Sequence, residues 1–258
     1  MIKVIVSGFN GSMGQKAVAM VNENTDFQLV GVFNPIIDSL DPADYGLDPD
    51  IKVFNEFSQI NIPADIWIDF SIPSAVFENT KFAISKNIRP VIGTSGLSEV
   101  QTSELKSLAD SEKLGGIIAS NFGISAVLMM KFAQTAAKYF DQAEIVETHH
   151  EDKLDAPSGT ALNTARLIHE VQQKDEPENP NESDPLGTRG GDYHGIKIHA
   201  IRLPGFIADE EVIFGSDGES LTVKQSTTDR TSFMKGVELA VKEVMKRNEL
   251  VIGLEKII

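Results

Sequence analysis

The stretch "SGFNGSMG", residues 7–14, carries the pattern G-x-x-G-x-x-G directly after a short apolar run. That run, Ile2 to Val6, is typical of a buried strand, and Met13 to Val21 repeats apolar side chains at helical spacing. A strand that passes through a glycine turn into a helix suits a phosphate, because the amide groups and dipole of a helix N-terminus favour an anion. We therefore predict a dinucleotide-binding turn, with a merely tight strand–helix turn as the alternative.

Two asparagines modify this turn. Asn10 occupies the middle place of the usual G-x-G-x-x-G spacing, and asparagine tolerates a positive φ better than most residues, so the turn is expected to survive. Asn34 closes the second predicted strand, where a carboxylate binds ribose hydroxyls and an arginine accepts a 2′-phosphate. Because Asn34 can bind a hydroxyl but supplies no positive charge, we expect NADH to serve at least as well as NADPH.

The first half of the chain alternates apolar strands with amphipathic helices, which predicts an α/β fold with a Rossmann-like, doubly wound parallel sheet. The strand-like runs are Phe27 to Phe33, "DIWIDF" (65–70), "RPVIG" (89–93) and "GGIIAS" (115–120), with helical patterns at 74–86 and 98–113.

The second half changes character after a long helical pattern at 124–140. Four strand-like stretches and one helix, at about 160–173, predict a central α+β domain with a four-stranded mixed sheet. The strand-like stretches are Glu144–Thr148, Ile196–Arg202, Val212–Gly215 and Leu221–Gln225. The polar segment 172–192 is expected to be a surface loop, with a mobile lid as the alternative. A last amphipathic helix, at about 232–247, has no obvious place in that sheet.

Composition excludes several function classes. The net charge of -15 opposes nucleic acid or an acidic membrane as a partner, and no apolar run approaches the length of a membrane span. The chain has no cysteine, which excludes disulfides, thiolate catalysis and cysteine-ligated metals and fits a cytoplasmic protein. The N-terminal sequence enters a strand at once, so no leader peptide is expected.

Cations gather in "ETHHEDKLDAPSGTA" (147–161), although the protein as a whole is acidic. Adjacent strand residues point to opposite faces, so His149 and His150 are expected to differ in role. Lys153 adds a charge and a proton donor, and Gly159–Thr160 begin a helix whose amide groups suit a carboxylate. Taken singly, the histidines fit a scaffold role and "PSGT" fits a helix cap. The sequence offers no third ligand beside the two histidines, so it does not predict a zinc site. Their convergence favours a small anionic substrate.

These motifs resemble the dihydrodipicolinate reductase family over essentially the whole chain, through "GFNGSMG" (8–14), "DFSIP" (69–73), "GTSG" (93–96), "ASNFGI" (119–124) and the 147–161 stretch. The resemblance implies reduction of 4-hydroxytetrahydrodipicolinate by NADH or NADPH, without a metal, in a homotetramer. It implies a dinucleotide-binding domain at 1–123 and 231–258, and a substrate-binding and oligomerisation domain at 124–230.

The resemblance also assigns residues. It makes His149 and Lys153 the proton donors, and it makes His150, Gly159 and Thr160 the contacts of the substrate carboxylates. The implied cofactor contacts are Gly8, Phe9, Asn10, Gly11, Ser12, Met13, Asn34, Gly93, Thr94, Ser95, Ala119, Ser120, Asn121 and Phe122.

The chain departs from the family pattern at four places. Ser12 replaces the arginine of the usual "GRMG", and Asn34 replaces an acidic residue. "ADEEV" (208–212) stands where "GEHEV" is usual, which loses a histidine, and Gln225 stands where a histidine is common. Two other functions remain open from the residues alone. One is another two-domain dehydrogenase of amino or keto acids, such as an aspartate dehydrogenase, and the other is a non-catalytic dinucleotide sensor.

Overall fold

A computed structural model of the chain describes residues 1–173 and 183–258. The chain divides into two compact units: Met1–Phe122 with Phe233–Ile258 form the first, and Gly123–Ser232 form the second. These bounds lie close to the domain boundaries expected from the sequence, whereas the roles of the two domains stay predictions. Of the expected loop or lid at 172–192, residues 174–182 lie outside the described residues, whereas Gln172 ends a helix and Gly191 and Asp192 belong to a short strand.

The strands are numbered in chain order: β1 Ile2–Ser7, β2 Phe27–Phe33, β3 Lys52–Phe54, β4 Ile66–Asp69, β5 Arg89–Ile92, β6 Gly116–Ile118, β7 Gln142–His149, β8 Gly191–Tyr193, β9 Ile196–Arg202, β10 Ala208–Ser216, β11 Glu219–Thr227 and β12 Leu250–Ile252. The α-helices are α1 Ser12–Glu23, α2 Val76–Ser85, α3 Glu99–Ser111, α4 Ile124–Ala136, α5 Gly159–Gln172 and α6 Phe233–Val244. Short 3-10 turns lie at Pro42–Tyr45, Phe57–Gln59, Arg230–Ser232 and Leu254–Lys256.

The first unit contains a seven-stranded sheet in the order β12-β6-β5-β4-β1-β2-β3. All of its neighbouring strands pair in parallel, which confirms the Rossmann-like sheet expected from the alternating pattern. Its strands are apolar because helices leave little of the sheet in water. Trp67 at the centre of β4 is fully buried, and it packs in one cluster with Ile5, Phe33, Val76 and Ile92.

The last α-helix and the last strand of the chain belong to the first unit: the strand extends its sheet, and the helix packs against it. Helix α6 contacts β5 and β6, and β12 pairs with β6 at the edge of the sheet. Gly236 of α6 lies so close to the backbone that an added Cβ would stand 2.0 Å from the carbonyl oxygen of Phe122. The amphipathic helix expected at 232–247 thus finds its place in the first unit.

The second unit contains a mixed sheet in the order β11-β10-β7-β9-β8. It has five strands and not the four expected, because Gly191–Tyr193 pairs antiparallel with the edge of β9. That glycine-rich segment has no apolar alternation, so its sequence does not predict a strand. Helices α4 and α5 cover one face of the sheet, and central strand β7 turns Ala143, Ile145 and Glu147 toward that buried face.

Candidate active site

The predicted cofactor residues of the first unit follow the carboxyl ends of its strands. Residues 8–13 follow β1, Asn34 follows β2, Gly93–Ser95 follow β5, and Ala119–Phe122 follow β6. Because these strands are parallel, their carboxyl ends share one edge of the sheet. Strand β1 lies between β2 and β4, where the strand order changes direction, and dinucleotides bind at such a point in this class of sheet.

The glycine turn divides its tasks among three glycines. Gly8 adopts a φ of +70°, and an added Cβ there would stand 2.3 Å from the carbonyl oxygen of Phe70. An added Cβ on Gly14 would stand 2.0 Å from the carbonyl oxygen of Gly8, so Gly14 lets α1 pack closely on the turn. Gly11 is the N-cap of α1 and provides no capping side chain. The amide groups of the first turn of α1 therefore suit a phosphate.

The turn survives the asparagine at its middle place, as expected, and the residue of the turn with a left-handed conformation is Gly8. Asn10 instead accepts a hydrogen bond from Asn34 Nδ2 on its Oδ1 atom at 2.6 Å. This contact joins the glycine turn to the end of β2. Asn34 Oδ1 also accepts from the backbone of Ile36 at 3.1 Å, which fixes the loop that follows β2.

A buried carboxylate, Asp69 at the end of β4, organises the neighbouring loops and has no predicted role. It accepts from the Thr94 hydroxyl at 2.7 Å and from both the hydroxyl and the amide of Ser71, at 2.6 and 3.0 Å. Asn79 and Trp67 complete its donors at 2.9 and 3.2 Å. Asp69 therefore fixes the loop that follows β4 and the loop that follows β5, and the second of these carries the predicted nicotinamide-side residues Gly93–Ser95. "DFSIP" and "GTSG" were the available sequence signals.

The second unit brings the predicted proton donors to the end of β7. His149 ends the strand, and the carbonyl of His150 accepts from the Lys153 amide at 3.2 Å, which closes the turn that carries Lys153. The Lys153 ammonium donates to both carboxylate oxygens of Asp155, at 2.6 and 2.8 Å. This hydrogen bond, which outweighs the opposing effect of burial, lowers the pKa of Asp155.

Glu147, two residues before His149 on β7, binds the His149 ring, and the sequence analysis gave Glu147 no role. The His149 Nδ1 atom lies 2.5 Å from Glu147 Oε2, and Arg202 from β9 donates to both oxygens of Glu147 at 2.8 Å. Burial alone would raise the pKa of Glu147, but the hydrogen bonds and charges of His149 and Arg202 lower it to about 2. Strand alternation was the available signal, since residues two apart share a face. Arg202 lies far from Glu147 in the sequence, so no sequence pattern indicated its contact with Glu147.

Glu210, from the middle of "ADEEV", lies directly opposite Glu147 on the neighbouring strand β10. Burial, with a smaller contribution from the charge of Glu147, raises its pKa to about 7. The Thr164 hydroxyl lies 2.6 Å from Glu210 Oε1 and 2.9 Å from the carbonyl of Thr160. The Thr164 hydroxyl donates to Glu210, and this hydrogen bond offsets only part of the rise in the pKa of Glu210 that burial causes. Glu210 therefore takes up a proton near neutral pH, whereas Glu147 stays ionised.

Helix α5 begins beside these groups. Its N-cap, Ser158, accepts from the amide of Ala161 at 3.1 Å, as "PSGT" predicts for a helix cap. Gly159 and Thr160 are the first two helical residues. A Cβ added to Gly159 would meet no atom within 4 Å, so the space beside it is open.

The other central departure, Gln225 on β11, is also buried. Its amide donates to the carbonyl of Ala208 at 3.3 Å, and its oxygen accepts from Ser125 and Thr227, each at 3.3 Å. Gln225 therefore ties α4 to the sheet within the second unit.

Two family models match the chain: dihydrodipicolinate reductase, N-terminus, over residues 2–122, and dihydrodipicolinate reductase, C-terminus, over residues 125–258. The chain belongs to the dihydrodipicolinate reductase family. A 4-hydroxy-tetrahydrodipicolinate reductase of Lactiplantibacillus plantarum is 51% identical over 261 residues, with 100% of each chain covered. One from Lactobacillus acidophilus is 52% identical over 259 residues, with 99% of this chain and 98% of the relative covered. The structure of a dipicolinate-bound dihydrodipicolinate reductase from Paenisporosarcina sp. TG-14 superposes with a TM-score of 0.90, at 43% identity and full coverage of both chains.

Membership of the dihydrodipicolinate reductase family confirms the resemblance found in the sequence and makes the protein an oxidoreductase. A reductase family with a Rossmann-like sheet implies a nicotinamide cofactor. The alternatives of another dehydrogenase and of a non-catalytic sensor lose their support, since the likeness extends over both units. Within residues 1–173 and 183–258, no helix is long and apolar enough to cross a membrane.

The raised pKa of Glu210 predicts a pH-dependent stability. Folding raises its pKa from 4.5 to about 7, so its contribution is present below about pH 4.5 and is lost as the pH rises through 7. The loss amounts to roughly 3 kcal/mol at most, at about 1.4 kcal/mol per pKa unit. Glutamine cannot ionise. As the pH rises from about 5 to about 8, the free energy of unfolding of Glu210→Gln, measured in urea, should therefore increase relative to that of the wild type.

Glu211→Gln is the matched control for that measurement. Glu211 is the next residue on β10, it points to the opposite face and it pairs with Lys224 at 3.4 Å. It should follow the wild-type pH dependence, apart from the small contribution of a surface ion pair. Parallel curves for the wild type and Glu210→Gln would show that Glu210 ionises normally.

Proposed function

We propose that the protein catalyses the NAD(P)H-dependent reduction of 4-hydroxytetrahydrodipicolinate to tetrahydrodipicolinate, with loss of water, in diaminopimelate and lysine biosynthesis. The observation that carries this proposal is the identity of 51% to a reductase of that name over the full length of both chains. The unbroken "ETHHEDKLDAPSGTA" stretch supports it, because this stretch holds every residue to which we assign a contact with substrate.

The first unit is proposed to bind the cofactor. The uncapped first turn of α1, together with Gly8–Met13, would hold the pyrophosphate, and Asn34 would bind a ribose hydroxyl. Gly93–Ser95 and Ala119–Phe122 would contact the nicotinamide side, supported by Asp69. When bound, the nicotinamide supplies the hydride.

The second unit is proposed to bind the dicarboxylate. His150 with Gly159 and Thr160 would hold its carboxylates, and the dipicolinate of the Paenisporosarcina structure is a dicarboxylate of this kind. His149 and Lys153 would supply the proton that must accompany the hydride. Hydride and proton thus have named donors, and we propose a reaction that needs no metal.

The second unit is also proposed to assemble the homotetramer. Helices α4 and α5 cover one face of its sheet, and strand alternation puts Ile201 and Ile213 on the other face. These side chains are 38% and 37% exposed, which is a large apolar exposure for the middle of a sheet. A small metabolite as substrate and the cysteine-free chain fit a cytoplasmic location.

The direct test is oxidation of NADH and of NADPH by the purified protein, with substrate generated in situ from pyruvate and aspartate semialdehyde. We expect turnover with both nucleotides and kcat/KM for NADH at least equal to that for NADPH. The physical reason is that Asn34 to Asp38 contain no lysine or arginine to receive a 2′-phosphate. A preference for NADPH above about tenfold would contradict the role given to Asn34, and no turnover by folded protein would reject the reductase.

Lys153→Ala tests the proton donor. If the Lys153 ammonium is a general acid, kcat should fall by roughly two to four orders of magnitude. Lys153→Arg is the control, because arginine keeps the charge beside Asp155 but holds its proton too tightly to donate it. Lys153→Arg should have a KM close to that of the wild type and a kcat as low as that of Lys153→Ala. A change confined to KM in Lys153→Ala would assign Lys153 to substrate binding.

Gly159→Ala tests the carboxylate site at the start of α5. The added methyl group meets no protein atom within 4 Å, so unfolding experiments should show unchanged or higher stability. The same methyl group would enter the space proposed for a carboxylate, so KM and the inhibition constant of dipicolinate should rise at least about tenfold. A stable variant with an unchanged KM would move the substrate away from Gly159.

A further inference from the structure

We propose that Glu147 is the positioning residue of the reaction, and that its one buried carboxylate fixes both the imidazole of His149 and the start of α5. This inference rests on the proposed function, in which His149 donates a proton and the start of α5 holds a substrate carboxylate. Neither the sequence motifs nor the family resemblance gave Glu147 a role.

Both carboxylate oxygens of Glu147 make all their hydrogen bonds to these two groups and to Arg202, the counter-ion of Glu147. Oε2 lies 2.5 Å from His149 Nδ1 and 2.8 Å from Arg202 Nη1. Oε1 accepts from the Ser158 amide at 3.1 Å and from Arg202 Nη2 at 2.8 Å. The side chain has no exposed surface, so water does not compete for these bonds.

The contact with Nδ1 determines how His149 can act. A carboxylate cannot share a hydrogen bond with an unprotonated ring nitrogen, so Nδ1 carries a proton in both the neutral and the charged imidazole. Nε2 is then the nitrogen that remains for the substrate, and the charged form of the imidazole donates its proton from there. A buried carboxylate plays this part beside the histidine of serine proteases.

The contact with Ser158 couples the proton donor to the substrate site. Ser158 is the N-cap of α5, so its amide precedes Gly159 and Thr160 directly. A displacement of Glu147 would shift the imidazole and the helix start together. The geometry between donor and substrate therefore depends on one side chain in the centre of the sheet.

Arg202 makes the buried charge tolerable and anchors the loop between His150 and Ser158. Its Nη2 atom also donates to the carbonyl of Asp155 at 2.7 Å. Glu210 on β10 faces Glu147 and takes up a proton near neutral pH. The Lys153–Asp155 pair lies on the loop that Arg202 anchors. The charge of Glu147 is thus balanced by Arg202.

The same strand offers a matched control. Glu144 lies on the opposite face of β7, and it binds His199 Nε2 at 2.8 Å and Arg189 Nη2 at 2.8 Å. Glu144 therefore repeats the combination of carboxylate, histidine and arginine away from the proposed substrate contacts. Glu147→Gln and Glu144→Gln remove the same charge from the same kind of cluster.

The experiment compares kcat/KM and the ring tautomer of His149 in the wild type and both variants. Glu147→Gln should lose at least about tenfold in kcat/KM, because a general acid contributes roughly a hundred- to ten-thousand-fold and a displaced one loses part of that. Its neutral His149 ring should no longer keep its proton on Nδ1, because the carboxylate that accepts this proton is gone. Glu144→Gln should match the wild type in both measurements. A Glu147→Gln variant that is less active but keeps the wild-type tautomer of His149 would overturn the proposal, since a purely structural loss of activity leaves that tautomer unchanged.

Nitrogen NMR of the ring of His149 in the wild-type protein tests the same arrangement without turnover, and the His149→Gln variant serves to assign the signal. The neutral ring should carry its proton on Nδ1. A proton on Nε2 would overturn the proposal even if the enzyme is active. Loss of all wild-type turnover, by contrast, would reject the reductase function while the NMR result still decides the role of Glu147.

Discussion

A carboxylate without exposed surface needs hydrogen-bond donors and an opposite charge from the protein, because water cannot reach its oxygens to solvate them. Glu147 meets this requirement through Arg202, His149 and the amide of Ser158. These partners come from two strands and from the start of a helix, so the requirement fixes their mutual positions. The arrangement of the candidate site in the second unit depends on this interaction more than on any single loop.

Two carboxylates on paired strands show how environment decides chemistry. Glu147 and Glu210 face each other across β7 and β10. The arginine and the histidine hold the pKa of Glu147 at about 2, whereas burial raises that of Glu210 to about 7. If both were ionised, their repulsion in a buried space would be costly. The replacement of "GEHEV" by "ADEEV" is therefore accommodated by a carboxyl group of raised pKa that accepts a hydrogen bond from Thr164, and the charged Glu147 beside it is retained.

In the first unit, local sequence rules and tertiary contacts contribute differently. The pattern of glycines predicted the turn and its place between β1 and α1. The conformation within the turn depended on neighbours, since Gly8 packs against Phe70 and Gly14 against Gly8 itself. Asn10 accordingly bonds to Asn34 and has no need of the left-handed conformation. Asp69, remote from the turn in sequence, holds the loops that follow β4 and β5.

The sequence by itself determined the alternation of strands and helices, the glycine turn and the segment that carries His149, Lys153 and Gly159, because each depends on spacing within one short stretch. It did not predict strands β3, β8 and β12, which are three residues long and are formed by pairing with a neighbour. Only the tertiary structure decided that α6 completes the first sheet and that Arg202 meets Glu147. Such contacts join residues remote along the chain, and their energy comes from burial and charge in the folded state, which no local pattern records.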